Sequence, residues 1–203
     1  YSYEILVELP EEDMAKQPDV LKTIDMIAAH VEKWEETTLT LSLTDIIKDL
    51  NMTMHNNDET YYRIPDDQEL VAQYLLLYEM SGGESVEDWV DYEYTKLRLS
   101  VQVSQANMNF IDKFEGLARY EQKFPEGTKF SVVGDVPILM KMLKLLSYGQ
   151  IKSVLAALVV ITFIMMLILK SLPVGLISMI PNVFPIIAIT GVMGLLDYPL
   201  DMI

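Results

Sequence analysis

The sequence predicts an α+β domain followed by a helical hairpin apolar enough to cross a membrane. Three observations predict this. Tyr3, Ile5, Val7 and Leu9 alternate as one face of a strand, Val20, Ile24, Ile27 and Val31 recur at helical spacing, and residues 153–169 carry no charge. Charge divides the 203 residues in the same way. Beyond Ile151 the charged residues Lys152, Lys170, Asp197 and Asp201 cancel, so the net charge of −15 lies wholly in the first 150 residues. The expected boundary puts a folded acidic domain at 1–148 and the apolar part at 149–203.

Strand and helix signals alternate through the acidic part. The first strand runs from Tyr3 to Leu9 and stops at Pro10, and Pro18-Asp19 opens a helix whose apolar stripe extends to Trp34. Leu39, Leu41 and Leu43 alternate with Thr40 and Ser42 as a second strand. A short helix from Thr44 to about Met54 and a polar loop at 55–59 follow. Asp66 reads as the N-cap of a helix from Asp67 to about Met80, stopped by Ser81-Gly82-Gly83. From Thr95 to Val103, Leu97, Leu99, Val101 and Val103 form one face and Lys96, Arg98, Ser100 and Gln102 the other. Phe110, Ile111, Phe114, Leu117 and Ala118 mark another amphipathic helix, Phe130 to Val133 a last strand, and Pro137 to Tyr148 a helix heading into the apolar part. Two strand–helix–strand units with a helical insert at about 44–93 make a split βαβ, ferredoxin-like arrangement. Within the insert, Met52, Met54, Tyr74, Tyr78 and Met80 are either ordinary core or the lining of an adaptable apolar cleft.

Several functions are disfavoured by composition. Phosphate binding needs clustered Lys and Arg, and only three Arg occur, so nucleic acid is not an expected partner. The chain has no Cys, which removes disulfides and thiolate metal sites and suits an extracytoplasmic bacterial domain. His30 and His55 each stand alone, without a second ligand at zinc spacing. Neither a Gly-x-Ser-x-Gly elbow nor a Gly-rich phosphate loop with its Lys is present, so no enzyme activity and no cofactor are expected. Asp66-Asp67 and Glu87-Asp88 read as caps and solvated surface, and Asn51-Met52-Thr53 as a chance glycosylation triplet inside a helix. Tyr1 falls inside a strand pattern and Ile203 inside an apolar stretch, so both ends are expected to be internal to a longer chain.

The apolar part reads as two spans, about 151–170 and 172–196. Ser153–Leu169 gives 17 uncharged residues, and the flanking Lys152 and Lys170 can snorkel. Ser171-Leu172-Pro173 makes the turn, and Ser171–Leu196 adds 26 uncharged residues. This second span carries Pro181, Asn182, Pro185, Gly191 and Gly194. These five are the candidate functional residues, read either as a bent helix beside a transport path or as a kink with small residues at a helix contact. Lys141, Lys144 and Lys152 before the first span outnumber Lys170 in the turn, and by count alone this puts the large domain in the cytoplasm.

Read in order, Gly149-Gln150-Ile151-Lys152-Ser153, the first span, Ile180-Pro181-Asn182-Val183-Phe184-Pro185, Gly191-Val192-Met193-Gly194 and Tyr198-Pro199-Leu200-Asp201 resemble the resistance-nodulation-division (RND) permease superfamily. The likeness is to its MMPL-type hydrophobe-exporter branch, related to Patched and sterol-sensing proteins. Upstream, Tyr62-Arg63-Ile64-Pro65, Gln73 to Glu79 and Gly134-Asp135 fit as well. The resemblance implies twelve spanning helices in two halves, each with a large extracytoplasmic porter domain. It makes this chain a porter domain of the second half with the eighth and ninth spans, in the inner (plasma) membrane. It therefore reverses the orientation that the lysine count gives. The activity implied is proton-driven export of lipids or other hydrophobic compounds. The alternative is a non-transporting, sterol-sensing-like lipid binder that regulates a partner. Membrane lipids or a hydrophobic substrate, the rest of the transmembrane bundle, and a homo-oligomer are the implied partners. Proton-relay acids in such proteins sit on the helix after the Tyr-Pro-Leu-Asp-like turn, a helix outside this sequence, and Asp201 beside Pro199 reads as part of the turn.

Overall fold

The computed structural model describes residues 1–82, 86–106 and 109–195. They fall into two compact units, Tyr1–Leu143 and Lys144–Ile203. The first unit is an α+β fold built on a four-stranded antiparallel sheet. Its strands are β1 (Ser2–Glu8), β2 (Thr37–Ser42), β3 (Lys96–Val103) and β4 (Lys129–Val133), in the order β2-β3-β1-β4. Helix α1 (Pro18–Val31) joins β1 to β2, α2 (Leu43–Met54) and α3 (Gln68–Met80) lie between β2 and β3, and α4 (Asn109–Leu117) joins β3 to β4. Each strand–helix–strand unit thus has a strand of the other between its own two strands.

The central strands follow from their alternation. Tyr3, Ile5 and Val7 of β1 pair across from Val101, Leu99 and Leu97 of β3, and all six are buried. Helix α1 covers this face with Val20, Leu21, Ile24, Ile27 and Val31. Phe110 and Leu117 of α4 join the same core, where Tyr3, Trp34, Phe110 and Phe114 pack edge to face or stacked. Burying a side chain of this size stabilises the fold by about 1.5–3 kcal/mol. The opposite face of the sheet carries polar pairs such as Arg98 with Glu4, at 3.6 Å.

Strand β2 corrects the alternation read from its leucines. Leu39 and Leu41 are 43% and 39% exposed, whereas Thr40 and Ser42 are buried. A bulge between Thr37 and Leu39 sets Leu39 opposite Gln102 and Thr40 opposite buried Val101, and the junction with α2 holds the other end of the strand in that phase. Ser42 is the N-cap in a capping box: its N–H donates to Asp45 Oδ2 at 3.0 Å, while its hydroxyl takes the N3 backbone N–H. That box points Ser42 inward and holds the phase of the strand, and Thr40 donates to Glu32 Oε1 at 2.5 Å. Leu43, expected in the strand, is the first residue of α2 and is buried there.

Other boundaries shift for equally local reasons. Asp67, not Asp66, caps α3, its Oδ1 accepting from Glu69 N at 2.9 Å, and Asp66 pairs with Lys22 instead. Gly82, with φ +76, lies beyond the end of α3, and Gly83 is outside the described residues. Trp34 falls beyond the end of α1, and Ala118 is exposed in a 3-10 segment that buries Tyr120 in its place. Asn51 is no glycosylation site: it is buried in α2, donates to the Tyr61 and Arg63 carbonyls, and accepts from the Tyr74 hydroxyl. The Tyr and Met side chains of the insert do not converge on a cleft. Tyr74 points inward, Tyr78 packs on the core, and Met54 and Met80 face solvent.

Gly134 links the sheet to helix α5 (Asp135–Leu169). Its φ is +108, and a Cβ there would stand 3.2 Å from Tyr3 Cα. Val136 and Met140, in the next turns, are buried in the core. Gly134→Val is expected to lower stability by about 1–3 kcal/mol, read as a fall in denaturant midpoint.

Asp91 closes the loop before β3. It accepts from Thr95 N at 2.7 Å, Thr95 Oγ1 at 2.6 Å and Lys96 N at 2.8 Å. Burial raises its pKa, but those hydrogen bonds outweigh burial and hold it below 3.8. Its contribution is therefore complete above pH 3.8 and disappears as pH falls through the lower folded value. Asp91→Asn is expected to cost about 1–3 kcal/mol at neutral pH and to flatten that acid limb in a pH series of unfolding curves.

Candidate functional site

The second unit is built from the remainder of α5 and two shorter helices. Helix α5 has 35 residues in all, and its stretch 153–169 is free of charge. Lys170 ends it in the left-handed conformation, φ +50, and Ser171 precedes α6 (Leu172–Ile177). Only these two residues separate α5 from α6, so the chain reverses within one tight turn. Leu172 and Pro173 occupy the first positions of α6, where the missing proline N–H has no partner to lose. Helix α7 (Ile180–Leu195) completes the hairpin. Among the described residues, Asp135–Leu169 and Leu172–Leu195 are the two helical stretches long and apolar enough to cross a membrane.

The second stretch is interrupted within its length. The α-helix lapses at Ser178 and Met179, between α6 and α7. Pro181 explains the position, because it has no N–H for the Ile177 carbonyl and its ring crowds that carbonyl. The backbone tightens to compensate: Met179 N donates to the Leu176 carbonyl at 3.1 Å, and the Met179 carbonyl accepts from Asn182 N and Val183 N at 3.0 and 2.9 Å. Ser178 Oγ donates to the Gly175 carbonyl at 2.7 Å. Pro185, by contrast, lies inside α7 without interrupting it.

The five expected site residues therefore separate in their roles. Pro181 sets the break, and Asn182 sits in the first turn after it. Asn182 is exposed rather than buried, and its amide reaches only the Met179 sulfur, at 3.9 Å. Gly191 and Gly194 meet nothing within 4 Å, so they make no helix contact among the described residues. Leu196, Asp197 and the Tyr198-Pro199-Leu200-Asp201 turn lie outside the described residues.

The close contact falls on Gly175, which sequence reasoning passed over. A Cβ on Gly175 would come within 2.5 Å of Met166 Cγ and 2.9 Å of Met166 Cα. Its absence lets α6 lie directly on the backbone of α5. The signal was present in the spacing. A two-residue reversal forces the helices together within the first turn, and Gly175 is the one small residue placed there.

Among the described residues no three His, Asp or Glu side chains gather as a metal site. Comparison with protein-family models and with curated protein sequences finds no match.

The glycines give a paired expectation. Gly175→Ala should lower the thermal midpoint of the full-length protein in detergent, by overpacking worth about 1–3 kcal/mol. Gly191→Ala, with open space around it, should leave the midpoint unchanged or slightly raised. Equal midpoints for the two variants would remove Gly175 from the hairpin contact.

Proposed function

We propose that the chain is a porter domain and helical hairpin of an RND-type, proton-motive-force-driven exporter of lipids or other hydrophobic compounds. On this reading the protein is multi-pass in the plasma (inner) membrane, with the acidic domain outside the cytoplasm. The sheet order β2-β3-β1-β4, with its interleaved strand–helix–strand units, supports a ferredoxin-like porter domain. The exposed Val159, Phe163 and Leu167 of α5 support a membrane environment, since a soluble protein of this size buries such a helix.

The observation that carries the reading is helix α5 itself. It starts in the core of the sheet domain, with Val136 and Met140 buried, and continues unbroken through the charge-free stretch to Leu169. At 1.5 Å per residue this is about 50 Å of helix, long enough to cross a bilayer of about 30 Å and still reach into the domain. An unbroken helix passes displacement along its axis, whereas the lapse at Ser178–Met179 gives the second span a place to flex.

Proteoliposomes holding the full-length protein test transport directly. An imposed proton gradient is expected to drive a fluorescent phospholipid analogue from one leaflet or compartment, and a protonophore to stop it. Lipid binding without any response to the gradient would leave a non-transporting, sterol-sensing-like protein and end the exporter reading. Inserting Gly-Gly between Leu143 and Lys144 probes the mechanical role of α5. Transport is expected to fall with the thermal midpoint of the domain retained, and undiminished transport would show that α5 carries no motion.

A further inference from the structure

We infer that the first unit carries a binding site for a tetrahedral oxyanion, phosphate or sulfate, where the end of α1 meets the 3-10 segment Ala118–Lys123. It goes beyond the transport reading and stands on the first unit alone. The fold brings His30 and Lys33 against Arg119 and Lys123, with His30 and Arg119 89 residues apart in sequence. The ring of Tyr120 is the common floor. His30 lies 5.7 Å from it, the Arg119 guanidinium carbon 5.2 Å over it and Lys123 Nζ 5.4 Å over it. Trp34 meets His30 edge to face at 5.9 Å, so two rings fix the imidazole.

Charge pairing makes the occupant an anion. Lys16, Lys22, Lys48, Arg98, Lys113 and Lys129 each pair with a carboxylate. Lys33, Arg119 and Lys123 pair with none among the described residues, and they stand together in a chain of net charge −15. Like charges gathered by a fold cost stability unless an anion joins them. Arg119 Nη2 lies 3.0 Å from His30 Nε2. A guanidinium only donates, so Nε2 accepts, and the imidazole is neutral with its proton on Nδ1. The other guanidinium donors make no hydrogen bond among the described residues. Partial burial, then Arg119 and Lys33, hold the His30 pKa below 6.5. The C-terminal dipole of α1, about half a negative charge, does not neutralise three cations. A further donor is unspent: Tyr120 is 7% exposed, and its hydroxyl makes no hydrogen bond among the described residues. The planar fork of Arg119 matches two oxygens of a tetrahedral oxyanion, with Lys33 and Lys123 as point charges beside it.

The test uses sulfate, which keeps its full charge across the range in which histidine titrates. Radiolabelled sulfate is equilibrated by dialysis against the full-length protein in a nonionic detergent, with protein-free micelles as background. Saturable binding is expected, and Arg119→Gln should weaken it by about tenfold, the size of one charge-assisted hydrogen bond. Lys96→Gln removes an exposed cation at the start of β3 and should leave binding unchanged. Lowering the pH from about 7.5 to about 5 should strengthen binding, because protonated His30 adds a charge that sulfate stabilises. That strengthening should vanish in His30→Gln and persist in His55→Gln, the chain having only these two histidines. Unchanged circular dichroism is expected to accompany each variant. Inorganic phosphate and soluble dihexanoyl phosphatidate, competed against sulfate at about pH 7.5, separate the sources. Equal or weaker displacement by the phosphatidate assigns the site to free phosphate, and displacement more than about tenfold stronger assigns it to a lipid headgroup. Displacement by neither, absence of saturable sulfate binding, equal losses in Arg119→Gln and Lys96→Gln, or a pH dependence retained in His30→Gln would each overturn the assignment.

Discussion

Strand β1 is hydrogen-bonded along both edges, to β3 on one side and β4 on the other, and the first unit depends on that double pairing. It is the first strand in the chain, yet its partners lie about ninety and about a hundred and thirty residues away, so nothing local holds it. Its inward side chains fix which faces of α1 and α4 turn inward. Its N-terminal end also faces Gly134, whose close approach to Tyr3 determines where α5 departs from the sheet. Displacing the register by one residue would turn Tyr3, Ile5 and Val7 to solvent and bring Glu4 and Glu8 inward, an exchange the fold cannot absorb.

How much of this was legible depended on whether a local rule had a competitor. In β1 and β3 the alternation of apolar and polar residues had none, and the buried faces are those the sequence indicated. In β2 a competitor existed. The capping box at Ser42 satisfies helix-terminal donors and fixes the strand's phase, and Leu39 and Leu41 are left outward on an edge strand. Adjacent Asp66 and Asp67 posed a similar ambiguity, which the pairing of Asp66 with Lys22 resolves.

The apolar unit shows the same division. Two stretches of uncharged residues were plain from the sequence. The location of the interruption was half plain: Pro181 was identified, but the lapse falls two to three residues before it, because proline disturbs the carbonyl four positions earlier. Gly191 and Gly194 drew attention as a pair of small residues, whereas the contact belongs to Gly175. Composition identifies small residues, but only the geometry of the reversal says which one lies against a neighbouring backbone.

That reversal has a biosynthetic consequence if the hairpin resides in a bilayer. With only Lys170 and Ser171 outside helix, no slack exists for one apolar stretch to settle while the other waits. Both must partition as one object, with the lysine carried to whichever side the turn reaches. A ribosome that has made only the first stretch has then made half of an insertion unit, and that half stays exposed to chaperones and to error until Gly175 has emerged.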